Sequence, residues 1–268
     1  MTSVAPRSRA RRWAWLAVLV VGLVLFGAVQ QAIVSTGNPN LVPSLLLLGT
    51  LLVPVTFVIY VDGRVPVYDL PVSTLLICGL LGGMLGTVLA SVGESDTFRR
   101  LGVLPTPLIA LIEEAAKLII PIGVLMFTRH RSDPADGLLV GVAVGTGFAV
   151  LETLGYGLVT LLATRGDLAA TETLLLVRGV LAPAGHAAWT GLAAAALWQA
   201  HADRWRPRAT AAAVGTFVLV VVLHALWDTF PAWPTYLIVG GLSLTLLIRR
   251  THRTVLTAEH ADRVAHAV

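Results

Sequence analysis

The sequence predicts an all-α fold: a polytopic transmembrane helical bundle of about eight spans, with no soluble domain. Three observations predict it. The 268 residues are 56% hydrophobic and 13% charged, about half the charged share of an ordinary soluble domain, and the mean hydropathy is +0.81. Apolar runs near 20 residues long recur along the chain, long enough to cross about 30 Å of hydrocarbon. The polar gaps between them reach about ten residues at most, which leaves no room for a soluble unit.

Taken in order, the spans are expected at about Trp13–Val34, Leu41–Val61, Leu70–Val92, Val103–Thr128, Gly137–Thr164, Thr173–Ala200, Ala209–Phe230 and Pro234–Ile248. The first follows Arg7, Arg9, Arg11 and Arg12 but lacks a small-x-small cleavage site, so it reads as an uncleaved anchor. Glycines crowd the third span (Gly79, Gly82, Gly83, Gly86) and the fifth (Gly141, Gly145, Gly147), where small residues let helix backbones approach closely. No internal repeat is visible. Three regions follow from this: anchor spans in residues 1–100, a core bearing the chemistry in 101–230, and a last span with a basic tail in 231–268.

Basicity is carried by arginine, with Lys117 the single lysine. A net charge of +4 does not imply a nucleic-acid partner here, because the arginines sit in short clusters between apolar runs. Alternate loops hold 14 and 3 of them, the smaller set being Arg99, Arg100 and Arg165. Positive residues favour the cytoplasmic side, so both termini are expected in the cytoplasm of a multi-pass protein of the inner or plasma membrane. The one cysteine, Cys78, lies within a span, which excludes a disulfide framework and a thiolate metal cluster.

The chemistry is concentrated in four spans. They hold Glu113, Glu114 and Lys117; Glu152; Arg178 and His186; and His224 and Asp228. A charge at the bilayer centre costs about 2.5–3.5 kcal/mol on insertion scales, so such residues mark function by default. With His neutral, the group carries a formal charge of −2, to be offset by shared protons, protonated His or a bound cation. Lys117 follows Glu113 by four residues and Glu114 by three, so it projects between both carboxylates. A plain buried ion pair that joins helices is the alternative for this trio. His224 and Asp228 share a helix face at i, i+4, as do Arg178 and His186 two turns apart.

Pro121 frees the carbonyl of Lys117, and Pro183 frees that of Gly179; both breaks suit a wet cavity or an ordinary kink. At about 1.5 Å per residue, Glu113 and Glu114 lie about 16 Å from the outer ends of their spans, Glu152 about 18 Å, His186 about 20 Å and His224 about 9 Å. Arg178 reads first as reaching up to the outer surface, and Asp228, near the outer end of its span, either joins the site or merely contacts interfacial water. Trp189 and Trp227 read as packing residues. His130, His201, His252, His260 and His266 fall in loops or the tail and receive no role.

Four motifs carry a resemblance. Glu113-Glu114-Ala115-Ala116-Lys117 matches the EExxK signature of the PrsW family of intramembrane proteases. Gly147-Phe148-Ala149-Val150-Leu151-Glu152 is similar to its GFAxxEN motif, His186-Ala187-Ala188-Trp189-Thr190 to H-x-x-x-T, and His224-Ala225-Leu226-Trp227-Asp228 to H-x-x-W-D/N. The four stand in order on separate spans, from about Leu101 to Phe230. Thr153 departs from the pattern, standing where the family usually has Asn. The first three spans match no motif of the family. The wider superfamily includes the type II CAAX prenyl endopeptidases.

The resemblance implies an intramembrane endopeptidase, with Glu113, Glu114, Glu152, His186 and His224 as catalytic residues and Lys117, Asp228 and Arg178 supporting them. It further implies a single-pass membrane protein as substrate, resembling an anti-sigma factor, cut at a first site in regulated proteolysis. Hydrolysis needs an activated water, a polarised carbonyl and a proton for the departing amine. Glu113 or Glu114 suits the base, since a buried carboxylate beside a like neighbour is tuned for it. No cofactor is the favoured reading; zinc, held by two His and a Glu, is the rival. The other function classes are a proton- or ion-coupled transporter, for which inverted repeats are expected, and a non-catalytic scaffold.

Overall fold

A computed structural model describes residues 9–64, 70–128, 130 and 133–266. Among these are ten α-helices and no strand. They are α1 (Arg9–Thr36), α2 (Val42–Arg64), α3 (Val72–Leu101), α4 (Thr106–Lys117), α5 (Ile119–Phe127), α6 (Pro134–Ala163), α7 (Leu168–Leu181), α8 (His186–Ala202), α9 (Pro207–Thr229) and α10 (Trp233–His266). Of the arginines behind the expected orientation, Arg7, Arg129 and Arg131 lie outside the described residues, as do the side chains of Arg9 and Arg263.

The helix ends follow from local chemistry. The Asp133 carboxylate accepts the Ala135 N–H at 2.9 Å, with Pro134 opening α6. Asp167 caps α7 through the Ala170 N–H at 3.0 Å. Gly102, at φ 71°, closes α3 and returns its N–H to Phe98 O at 2.8 Å, a left-handed turn that a side chain would disfavour.

Six stretches of the described chain are long and apolar enough to cross a membrane: Arg11–Thr36, Pro39–Arg64, Val72–Leu101, Pro134–Ala163, Leu168–Ala202 and Pro207–Thr229. The expected fourth span is divided at Leu118 into α4 and α5. The expected sixth is divided by a single 3-10 turn, Ala182–Ala184, into α7 and α8. Each break falls where a proline removes an i→i−4 hydrogen bond. The eighth, expected to end at Ile248 before the basic tail, continues as helix into that tail, to His266.

Helix α6 is the centre of the bundle, with most of its length buried. It touches α3 on one face and α8 on another at backbone distance. A Cβ on Gly147 would run into the carbonyl of Gly79, and one on Gly83 would lie 2.6 Å from the Gly147 carbonyl carbon. On the other face, a Cβ on Gly141 would lie 2.5 Å from the Thr190 carbonyl oxygen, and one on Gly145 would meet that of His186. The glycine-rich third and fifth spans therefore do pack closely, as small residues allow in membranes. This clamp sets Glu152 of α6 beside His186, the first residue of α8.

Candidate active site

Lys117 ends α4 and is fully buried. Its Nζ donates to Glu114 Oε1 at 2.7 Å and lies 3.4 Å from Glu113 Oε2. It also stands 2.7 Å from His186 Nδ1 and 4.3 Å above the Phe148 ring, a cation–π contact worth more when desolvated. Since an ammonium only donates, His186 Nδ1 accepts, and its Nε2–H turns to Glu152 Oε2 at 2.9 Å. The proton of His186 is thereby assigned to Nε2.

Glu114 is the most enclosed carboxylate of the cluster, held by Lys117 and by His224 Nδ1 at 2.9 Å. His224 Nε2 faces Asp228 Oδ2 at 3.1 Å and Glu113 Oε2 at 3.8 Å. Glu152 also receives Arg178 Nη2 at 2.7 Å. Exposure grades outward from Lys117 and Glu114 to Arg178 and Asp228, whose side chains are 32% and 38% exposed. Glu113 Oε2 differs from the other carboxylate oxygens here: it is buried and makes no hydrogen bond.

The eight expected residues thus converge. Three expectations need correction. The depths of about 9 to 20 Å assumed straight, upright spans, yet ligand atoms of Glu113, His186 and His224 lie within 4.8 Å of one another; the breaks at Leu118 and Ala182–Ala184 bring them together. Arg178 and His186 do not share a helix face, because the break separates α7 from α8; they meet instead on Glu152. Arg178 does not extend to the surface alone: Glu152 holds its guanidinium, which lies 4.2 Å above the Tyr156 ring.

Other residues near the cluster were given no site role from sequence. Phe148 underlies Lys117 and meets His186 edge-on at 5.1 Å; its place four residues before Glu152 was the available signal. Half-buried Glu94 of α3 lies within electrostatic reach of Glu152, His224, Asp228 and Lys117. Trp189 stacks on His224 at 4.7 Å and is anchored through Nε1 to Ser243 Oγ at 2.9 Å. Thr153, in place of Asn, accepts from Arg178 Nε at 3.3 Å. A cavity of about 90 Å³ adjoins His186, bordered by Trp189 and Trp227, so both tryptophans line a space as well as pack.

The donor set suits a divalent cation. Glu113, His186 and His224 come from three helices and offer ligand atoms within 4.8 Å of one another, a His2Glu combination used for zinc with a position left open; with Nε2 of His186 on Glu152, its ligand nitrogen is Nδ1, which the Lys117 ammonium would have to release. Each imidazole keeps its other nitrogen against a carboxylate, Glu152 for His186 and Glu114 for His224, as metal-binding histidines do. Glu113 Oε2, which makes no hydrogen bond and has its nearest cation, Lys117 Nζ, at 3.4 Å, is the atom such an ion would satisfy. Ligands far apart in the sequence thus come together in space.

No curated protein and no solved structure gives a significant match to the chain. The profile of the PrsW family intramembrane metalloproteases matches residues 70–249, two thirds of the sequence, and takes in α3 as well as every helix that contributes to the cluster. With that match over this set of converging glutamates and histidines, the chain belongs to the PrsW family of intramembrane metalloproteases.

Proposed function

We propose that the chain hydrolyses peptide bonds of membrane-associated proteins at the Glu113–Glu114–His186–His224 cluster. The observation that carries this reading is Glu113 Oε2, a buried carboxylate oxygen with no hydrogen bond beside a Glu114 that accepts from both Lys117 and His224. Of the adjacent pair, Glu113 is the reactive group and Glu114 the organiser, because Glu114 already accepts from Lys117 and His224. Glu113 takes a proton from the attacking water as its oxygen adds to the carbonyl carbon. His224, held at Nδ1 by Glu114, gives the proton at Nε2 to the amine nitrogen as the C–N bond breaks. Lys117 balances the paired carboxylates and keeps His186 turned toward Glu152. Arg178 steadies Glu152, and Asp228 steadies His224.

The donor set supports a second version of the same activity, in which Glu113, His186 and His224 hold zinc. The ion would supply Lewis-acid polarisation of water and carbonyl. In that version Glu114 and Glu152 orient the two imidazoles. Localisation in the plasma membrane with both termini cytoplasmic, and first-site cleavage of a single-pass, anti-sigma-factor-like substrate, complete the proposal; they rest on the arginine distribution and the family resemblance.

The test uses the purified protein in lipid bilayers with a library of single-span reporter proteins whose juxtamembrane segments are randomised. Wild type is expected to cut a subset. Glu113→Gln should lose about 10²–10⁴-fold in rate, the range of a general base, while keeping its fold. A chelator that abolishes cleavage, with recovery on zinc addition, selects the zinc version. No cleavage by wild type, or full activity in Glu113→Gln, overturns the proposal.

A further inference from the structure

The cavity beside His186 lies at the edge of the charged cluster, with Arg178 and His186 in its lining, and no step above uses it. Its walls come from five helices: Ala149 and Thr153 of α6, Val177 and Leu181 of α7, Trp189 of α8, Trp227 of α9 and Tyr236 of α10. His186 borders it, so an occupant lies next to the reacting groups. The polar side chains there are largely committed. Thr153 accepts from Arg178, Arg178 is held by Glu152, and both nitrogens of His186 are engaged. Tyr236 packs on Trp227 at 4.6 Å. The space offers carbon surface more than free hydrogen-bonding groups.

Size narrows the occupant. An apolar cavity of about 150 Å³ admits a benzene ring; this one, at about 90 Å³, stops short of a ring and suits an aliphatic chain. Val177, Leu181, Trp227 and Tyr236 are half-buried. Helix α7 packs on α2 and α6, while α10 packs on α8 and α9. The mouth therefore lies between α7 on one side and α9 with α10 on the other.

We propose that this cavity is a substrate side-chain pocket, which receives one aliphatic side chain, from alanine to leucine in size, from a residue flanking the scissile bond. The proposal rests on the endopeptidase reading. The length of Val177 and the ring of Tyr236 then set the upper size limit, and cleavage specificity is decided here rather than among the charged residues.

The same reporter library tests it, with both termini at each cut sequenced to give residue preferences on either side. Wild type should prefer Ala, Val or Leu over Phe at one flanking position by about tenfold or more, since a single methylene in an apolar pocket changes rates about 10–200-fold. Val177→Phe should shift that position toward Gly and Ala, with a loss of about tenfold or more on Leu. Tyr236→Ala should gain Phe by a similar factor. If both variants cut with unchanged preferences, the pocket is refuted and the endopeptidase reading stands. If wild type cuts nothing, both fall. Should Val177→Phe fail to fold, Tyr236→Ala alone decides, because an enlarged pocket must widen the preference.

Discussion

Replacing Lys117 by Met is the most exacting test of how the cluster is held together. The side chain is fully buried, with its ammonium 2.7 Å from Glu114, 3.4 Å from Glu113 and 2.7 Å from His186 Nδ1. Met keeps the approximate volume and removes the charge. Breaking a buried pair while leaving its partner costs about 3–5 kcal/mol, because the carboxylate is left without compensation in a medium that solvates it poorly. The pair Arg100–Asp96, at a similar 2.8 Å but 75% and 53% exposed, is the internal control: Arg100→Met should change stability by no more than about 1 kcal/mol. The assay is reversible unfolding in bilayer-like micelles, followed by tryptophan fluorescence. Adding Glu114→Gln to Lys117→Met should recover about 0.5–3 kcal/mol as coupling between contacting residues. If Lys117→Met stays within about 1 kcal/mol of wild type, Lys117 does not neutralise the carboxylates and the charge arrangement argued above is wrong.

Two further outcomes follow from the same geometry. In the zinc version, the purified protein should carry about one ion per chain; His186→Ala and His224→Ala should lose it, and Glu152→Gln should weaken it about 10–100-fold by releasing His186. Elemental analysis measures this, and full zinc retention in the double His variant would place the ion elsewhere. Gly147→Ala should destabilise by about 1–3 kcal/mol through overpacking, because its Cβ meets the Gly79 carbonyl, whereas Gly215→Ala in α9, with nothing within 4 Å, should be neutral or stabilising by about 0.5–1 kcal/mol. Equal thermal midpoints for the two variants would refute the α3–α6 clamp.

Much of this protein was legible in one dimension. A bilayer imposes a length and a polarity on every span, so hydropathy located the helical stretches, though not the breaks that divide the fourth and sixth. The cost of charge in hydrocarbon made Glu113, Glu114, Lys117, Glu152, Arg178, His186, His224 and Asp228 conspicuous. The i, i+3 and i, i+4 spacings correctly placed Lys117 between two carboxylates and His224 against Asp228, since these contacts are made within a single turn of helix.

What lay beyond reach depends on pairs of helices. Periodicity does not say that Pro183 ends α7 so that His186 opens α8 beneath Glu152. Nor does it say that Arg178, free to extend to the surface, binds Glu152 instead. Glu94 went unremarked because its value depends on which way α3 faces.

The sequence by itself determined a helical membrane bundle and the identity of its charged residues, because both follow from the transfer of each side chain between water and lipid. Only the tertiary structure decided that Glu113, His186 and His224 come within 4.8 Å of one another and that Glu113 Oε2 is left without a hydrogen bond. Those facts are set by how near α6 can come to α3 and α8 and by where two helices break, distances that no single segment specifies.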